Sequence, residues 1–440
     1  MNLVRLATFG DNSAARPPRS DSIPVTTLIQ RAFPAFAEPA ISRYLGGQLA
    51  SILGSWIQNI TLSLLLWQQT HSALMVGLLN FLLQGPMLFV PLLMGARLKP
   101  ETAKRATLCI LGCSLCISLM LLASALLGML ATVLILALAA CLGLVQAMEW
   151  PSRQLLLSSS LSNRALLTNA VAMNALIFNI GRMAGPALAA LLFSIVGASA
   201  GFACSSAGLL IMVWAIRGLP TASLTVGVAS GSSGISAALR FAATNAFALH
   251  YFPLLVCFGL FTGSYQTVIP ALAASTFGSL SRYTGIFFAC AGAGALCAAV
   301  ALSALRDSQL AKRLLRVSPI CAALALTGIG LSQSGLLSGV CFFAMGLCLA
   351  LTTTQINAGL QQRCPEHVRG GVVGLYAVAF IGSMPLGHML MGAVASAIGP
   401  QPTFVLMGAS MAIGPWLLRG LVKLTTRRWI GTGEGNTPTG

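Results

Sequence analysis

The chain has 440 residues, of which 56% are hydrophobic and only 8% are charged, and its formal net charge is +17. A typical soluble domain has about 25% charged residues, so this composition excludes a single water-soluble domain and predicts a polytopic membrane protein. The basic residues stand in short clusters between apolar runs, so the positive charge indicates membrane topology and not nucleic-acid binding.

Apolar runs about 20 residues long recur along the chain, and each is long enough to cross a bilayer as a helix. They predict an all-α membrane protein with twelve transmembrane helices. We expect these helices near residues 44–68, 73–95, 106–127, 129–149, 168–196, 199–216, 252–273, 285–305, 317–333, 335–358, 371–395 and 402–418.

The distribution of Lys and Arg predicts the orientation. If both termini are cytoplasmic, all but two of the 25 basic residues face the cytoplasm; Arg282 lies outside and Arg182 lies within the membrane. The opposite orientation would invert this bias, so the positive-inside rule favours cytoplasmic N- and C-termini.

The longest polar connection, 218–250, contains a Gly/Ser-rich stretch and divides six spans from six. We therefore expect an N-terminal six-helix half at 41–217, a central cytoplasmic loop at 218–250 and a C-terminal half at 251–420. Residues 1–40 are expected to form a disordered cytoplasmic tail, and residues 421–440 a second cytoplasmic tail.

Similar strings end the two halves: Trp214-Ala-Ile-Arg-Gly-Leu219 and Trp416-Leu-Leu-Arg-Gly-Leu421. At the same offset Gly197 corresponds to Gly399 and Phe202 to Phe404. This pattern predicts an internal duplication with both halves in the same orientation.

Several strings of the first half narrow the class. They are the run 53–58 with Trp67-Gln-Gln-Thr-His-Ser-Ala73, the run Glu149-Trp-Pro-Ser-Arg-Gln154, and the run 169–174 continuing through Gly181-Arg182 to Leu188. They resemble the first helix and outer loop, the end of the fourth helix and the fifth helix of the transmembrane secretion effector branch of the major facilitator superfamily, which contains siderophore and drug exporters. The resemblance implies the major facilitator fold and transport by alternating access.

The chain departs from the facilitator pattern between helices two and three. Facilitators usually carry Gly-x-x-x-Asp-Arg there, but Gly95 is followed four residues later by Lys99. The acid is absent or replaced, with Glu101 as the candidate, whereas the later copy keeps Asp307. The resemblance therefore implies a gate that differs between the halves, with Asp307 as a gating residue.

Arg182 stands near the middle of the stretch 168–196, which contains no other charged residue. An arginine at that depth costs roughly 2.5–3.5 kcal/mol when it faces lipid, so its side chain is expected to face protein or water. Two interpretations stay open: Arg182 borders a cargo cavity, or it forms a structural ion pair, for which Glu149 is the partner to test.

Other polar side chains within the predicted spans are disfavoured against lipid, and we expect them to line a central cavity or to bond neighbouring helices. With Arg182, the candidates for substrate binding are Asn174, Asn179, Gln58, Gln84, Gln355 and Tyr265.

The fifth predicted helix also contains Gly181 and Gly185, followed by Pro186. Two glycines four residues apart form a flat face on which another helix can approach closely, and the proline permits bending. This helix-packing motif resembles the fifth-helix motif of facilitator exporters.

Acidic residues are scarce, and Glu149, predicted near a helix end, is the one that touches a span. A buried cation without an opposing acid favours neutral or anionic cargo. The candidates for coupling or gating are Glu149, Arg153, Asp307 and His388.

We therefore predict a secondary active exporter of a siderophore or a similar neutral or anionic metabolite, an antiporter driven by the proton gradient in the inner (plasma) membrane. The alternatives are a broad-specificity multidrug efflux pump and, from another class, a membrane-embedded enzyme or receptor. No nucleotide-binding loop, metal-ligand pair or nucleophile elbow is found in the sequence, so we expect an ion gradient and not ATP as the energy source, with no cofactor and no metal site. The short loops and the lack of an acid/base pair in mid-membrane predict that the protein is not an enzyme. The expected partners are the small-molecule cargo and the lipid bilayer, and the expected state is monomeric.

Overall fold

The computed structural model describes residues 38–90, 100–160, 164–219, 234–305 and 308–433, and this part of the chain is helical. Within it, eleven helical segments are long and apolar enough to cross a membrane. A shorter apolar helix, Ala73–Leu88, takes the place of the predicted second span. The all-α membrane class is confirmed, and residues 91–95 of the predicted second span lie outside the described residues.

The first half begins at Pro39. Its helices are α1 (Pro39–Thr70), α2 (Ala73–Gln84, extended by the 3-10 turn Gly85–Leu88), α3 (Ala103–Leu126), α4 (Thr132–Ser160), α5 (Arg164–Ile195) and α6 (Ala198–Arg217).

The second half is preceded by a short helix within the predicted central loop. The helices are α7 (Gly234–Thr244), α8 (Ala246–Cys257), a π-helical turn (Phe258–Gly263), α9 (Tyr265–Ser275), α10 (Leu280–Ala304), α11 (Ser308–Leu331), α12 (Gly335–Arg363), α13 (Arg369–Phe380), α14 (Ser383–Ile398) and α15 (Pro400–Gly433). Helices α8 and α9 form one apolar span, and α13 and α14 form another.

The predicted helix bounds were too short at the charged ends. Helix α4 continues to Ser160 although its prediction stopped at Glu149, and α11 begins at Ser308, not at residue 317. A hydropathy window ends at a charge, whereas a real helix continues where the charge is paired or where a long basic side chain reaches the polar interface. Glu149 consequently lies well inside α4 and not near its end.

One end of the bundle, which we call the short-loop end, joins consecutive helices by tight turns. The described residues with positive φ all lie there: Gly128, Gly197, Gly278, Gly399 and His71. Gly197 (φ 94°) and Gly399 (φ 87°) precede α6 and α15 respectively, and Phe202 and Phe404 one turn later are both fully buried. The sequence pairs noted above therefore occupy equivalent places. We call the opposite end, which carries most of the basic residues, the basic end.

The two halves meet closely between the short-loop end and the middle of the bundle. A Cβ on Gly292 of α10 would lie 2.6 Å from Cα of Met183 in α5, and one on Gly392 of α14 would lie 2.7 Å from the carbonyl oxygen of Ala73 in α2. Only residues without a side chain allow these backbones to approach so closely. Toward the basic end, the described glycines lie against their own half, as Gly47 does against Ala215, or meet no described atom within 4 Å, as Gly370 and Gly374 of α13 do.

Candidate functional site

Arg182 is half-buried on α5 and faces away from the exposed apolar side of that helix. Leu191 and Ile195 are 55% and 71% exposed. At about 100° per residue, Leu191 lies about 180° and Ile195 about 140° from Arg182 around the helix axis. Arg182 therefore lies on the interior side of α5.

Helix α1 packs against α5 at the two glycines near Arg182, Gly181 and Gly185. A Cβ on Gly181 would collide with Ile52, and one on Gly185 would collide with Trp56. The predicted helix-packing motif is thus an α1–α5 contact, and on the other side of α5 Met183 meets α10 of the second half. Arg182 lies between these contacts, on the side of α5 that faces the seam between the two halves.

Three aromatic rings from α1, α4 and α5 meet one turn from Arg182. The Phe178 ring centroid is 6.2 Å from that of Trp56 and 5.6 Å from that of Trp150, both edge-to-face. Phe178 is 36% exposed and Trp150 39%, so the group has open faces. We call Trp56, Trp150 and Phe178 the aromatic group.

A second group, which we call the Arg153 cluster, ties together four helices of the first half. Arg153 forms an ion pair with Glu149, one turn away in α4, and its guanidinium donates to Gln48 Oε1 and Ser51 Oγ of α1, both at 2.7 Å. Gln48 Nε2 donates to Asn174 Oδ1 of α5 at 2.9 Å. Ser114 of α3 donates to Glu149 at 3.3 Å.

Charge balance in this cluster bears on the two interpretations of Arg182. Glu149 and Arg153 are only 9% and 5% exposed, and each satisfies the charge of the other. Within the described residues, the ion pair that is seen joins Glu149 and Arg153, and Arg182 takes no part in it. The acid considered as the partner of Arg182 is therefore already paired.

A third group, which we call the His388 cluster, crosses between the halves. Thr267 Oγ1 of α9 lies 2.8 Å from His388 Nδ1 of α14 and accepts from Asn80 Nδ2 of α2 at 3.2 Å. Gln84 Nε2 of α2 lies 3.0 Å from His388 Nε2. His388 is fully buried, so both of its ring nitrogens are used inside the protein.

The other predicted site residues are not brought together in the structure. Gln58 accepts from Ser118 of α3 at 2.8 Å, so its amide oxygen bonds a neighbouring helix. Tyr265 is 3% exposed, and its ring packs against Phe288 and Phe342. Asn179 lies on α5 about 60° from Arg182. Asp307 lies outside the described residues.

Gln355, one of the predicted binding residues, has a buried amide nitrogen. Gln355 Nε2 of α12 has no hydrogen-bond partner among the described residues, and neither has Asn59 Oδ1 of α1. Buried polar atoms are normally satisfied, so each of these atoms is able to take a bond from water or from a bound solute.

Comparison with known proteins decides the family. The sequence profile of the transmembrane secretion effector family matches residues 33–427. This chain belongs to that family. Transmembrane secretion effectors are part of the major facilitator superfamily, and the assignment makes the chain a multi-pass membrane transporter and points to a non-enzyme.

A curated relative of this family member is the staphyloferrin A transporter of Staphylococcus aureus. It is 25% identical over 378 residues, which cover 81% of this chain and 90% of the relative.

Solved facilitators share the fold of this transmembrane secretion effector. The nucleoside transporter NupG matches with a TM-score of 0.68 and 12% identity, covering 86% of this chain and 98% of its own. A bacterial homologue of the human lysosomal transporter Spinster, in an inward-facing and unoccupied conformation, matches with a TM-score of 0.65 and 15% identity, covering 88% and 98%. At these identities the likeness establishes the fold alone.

Several residues of the Arg153 cluster and the His388 cluster were not predicted from the sequence. Gln48, Ser51, Asn80 and Thr267 were not singled out, although each is a polar side chain within an apolar run. Polarity inside a predicted span is the signal that would have found them, but it does not identify the partner.

Proposed function

We propose that this protein is a secondary active exporter that moves a small neutral or anionic metabolite, of the siderophore kind, by alternating access. The observation that carries the proposal is the contrast between the two ends of the bundle. The halves approach to backbone contact between the short-loop end and mid-membrane, whereas toward the basic end none of the described glycines lies against the other half. Such a one-sided closure is what a rocking mechanism requires.

The proposed topology has twelve spans, with Ala73–Leu88 as the described part of the second. Both termini and the basic end are cytoplasmic, since the positive-inside rule places Lys and Arg on that side. The proposed units are the halves 41–217 and 251–420, joined by the loop 218–250 and flanked by the tails 1–40 and 421–440. In this orientation the described arrangement faces the cytoplasm, and we place the protein in the inner membrane as a monomer.

The positive charge of Arg182 indicates the charge of the cargo. This residue lies on the interior side of α5, while the buried acid of the first half is paired with Arg153. A cavity with an unopposed cation attracts anions and repels cations. The relative that transports staphyloferrin A supports a siderophore as the cargo class. We assign Arg182, Asn179 and Gln355 to cargo binding, with Asn174, Gln58, Gln84 and Tyr265 as supports of the helices around it.

Proton coupling is assigned to His388, because it is a titratable side chain that contacts both halves. A proton on the imidazole would turn both ring nitrogens into donors, and Gln84 and Thr267 would have to present acceptors to both. Glu149 and Arg153 are assigned to holding the first half together, and Asp307 to gating at the basic end.

Deletion of the gene tests the function. We expect siderophore in the growth medium to fall and intracellular siderophore to rise in the deletion strain, and the wild-type gene to restore both. Arg182→Gln should restore neither, although its abundance in the membrane equals that of the wild-type protein. Unchanged secretion by the deletion strain would refute the proposal.

A multidrug efflux pump is the second candidate, and the aromatic group favours it because exposed Trp and Phe rings suit lipophilic compounds. The deletion strain separates the two candidates. Increased sensitivity to cationic dyes with unchanged siderophore secretion would establish the drug pump, whereas reduced secretion with unchanged dye sensitivity would establish the dedicated exporter.

A further inference from the structure

The aromatic group is built from three separate helices, and its position depends on the α1–α5 contact. Gly185 of α5 leaves room for the Cβ of Trp56, so the indole lies directly on α5 and reaches Phe178. Trp150 of α4 contacts the same ring, again edge-to-face. In a core cluster such rings would be covered, but Phe178 and Trp150 are each more than one-third exposed.

Phe178 and Arg182 lie on the same side of α5. Phe178 precedes Arg182 by four residues, so the two side chains differ by about 40° around α5 and their Cβ atoms lie about 6 Å apart. Leu191, on the exposed apolar side of the helix, lies about 140° from Phe178. Phe178, with the two indoles that contact it, and Arg182 therefore lie on the same side of α5, toward the seam between the halves.

The charged side chains near the aromatic group indicate the charge of the ligand. Open aromatic faces attract either a cation or another flat ring. A cation would be repelled by Arg182, and the nearby carboxylate of Glu149 is already neutralised by Arg153. A flat ring that bears a negative group satisfies both features, since the ring packs on Phe178 and Trp150 while the anion reaches Arg182.

We propose that Trp56, Trp150 and Phe178, together with Arg182, form a subsite for an aromatic anion, that is, a planar ring that bears a carboxylate or phenolate group. The inference rests on the proposed export function and narrows its cargo from any neutral or anionic metabolite to one with an aryl acid group.

Three probes with related skeletons test the subsite on the purified full-length protein by calorimetric titration. They are 2-naphthoate, the saturated decahydro-2-naphthoate with the same charge, and the cationic 2-naphthylmethylammonium. We expect 2-naphthoate to bind at least about tenfold more tightly than either of the others, since ring contacts are worth about that factor. Equal affinity for the saturated acid, or tighter binding of the cation, would overturn the proposal.

Variants locate the effect. Phe178→Leu and Trp150→Leu should each weaken 2-naphthoate by about tenfold and leave the saturated acid unchanged, while Arg182→Gln should weaken both acids. The matched control is Trp214→Leu, because Trp214 is 63% exposed on α6 and lies outside the aromatic group. Unchanged 2-naphthoate selectivity in Phe178→Leu and Trp150→Leu, or loss of selectivity in the control, would contradict the assignment.

The two proposals fail differently. If the deletion strain still secretes its siderophore but 2-naphthoate binds as expected, the export function is wrong and the subsite stands. If secretion falls on deletion but the two acids bind equally, the export function stands and the aryl-acid subsite is wrong.

Discussion

The Arg153 cluster and the His388 cluster are both buried polar networks, but they differ in charge and in what they join. The Arg153 cluster contains an ion pair and links α1, α3, α4 and α5 within the first half. The His388 cluster is a chain of Asn, Thr, His and Gln that links α2 of the first half to α9 and α14 of the second.

This difference matches the mechanical demands on each region. A half that moves as a rigid body has no need to separate α1 from α4, so a strong, charge-assisted network is suitable there. In the alternating-access cycle that we propose, the contact between the halves has to open and close, and bonds between uncharged groups are weaker. The following four changes test this contrast, in order of decreasing expected effect.

Glu149→Ala removes the acid of the Arg153 cluster and leaves a buried guanidinium uncompensated. We expect a loss of about 3–5 kcal/mol in stability, measured by thermal unfolding of the detergent-solubilised protein and by abundance in the membrane. The matched control is Glu101→Ala, which alters an exposed acid. Equal unfolding temperatures for Glu149→Ala and wild type would show that the ion pair does not hold the first half together.

Gly292→Leu places a side chain where α10 meets Met183 of α5. Overpacking typically costs about 1–3 kcal/mol, and here it should loosen the contact between α5 and α10, which joins the two halves. We expect faster hydrogen exchange of the segments around residues 183 and 292. Gly374→Leu, at a position without a neighbouring atom within 4 Å, serves as the control and should leave their exchange unchanged.

His388→Gln keeps a polar side chain but is too short to replace both ring-nitrogen contacts and does not titrate. The expected cost is about 1–2 kcal/mol, again seen as faster exchange of α2 and α14, because hydrogen bonds between the halves are lost. Transport in proteoliposomes should also lose its dependence on the proton gradient. His367→Gln, an exposed histidine near the basic end, should retain that dependence; retention in His388→Gln would remove His388 from coupling.

Thr267→Val is the mildest of these changes, because it replaces one hydroxyl by a methyl of similar size. It leaves His388 bonded to Gln84 and should cost about 0.5–1.5 kcal/mol. Hydrogen exchange of α2 should rise less than in His388→Gln. A larger effect for Thr267→Val than for His388→Gln would indicate that the Asn80–Thr267 contact, and not the imidazole, holds the halves together.

The sequence by itself determined the class, the order of the helices and the flat face at Gly181 and Gly185. Each is encoded locally, either in apolar runs as long as a bilayer is thick or in two small residues one turn apart. The same local reading ended α4 too early, because a window treats Glu149 as a boundary and does not see that Arg153 neutralises it one turn later.

Only the tertiary structure decided which polar groups pair. Gln48 bonds Asn174 and Gln84 bonds His388 across 126 and 304 residues of chain, and no periodicity encodes such partners. The aromatic group likewise depends on three helices converging on Phe178. In a membrane almost any buried amide or ring finds some neighbour, so its role follows from how the helices pack and not from its place in the sequence.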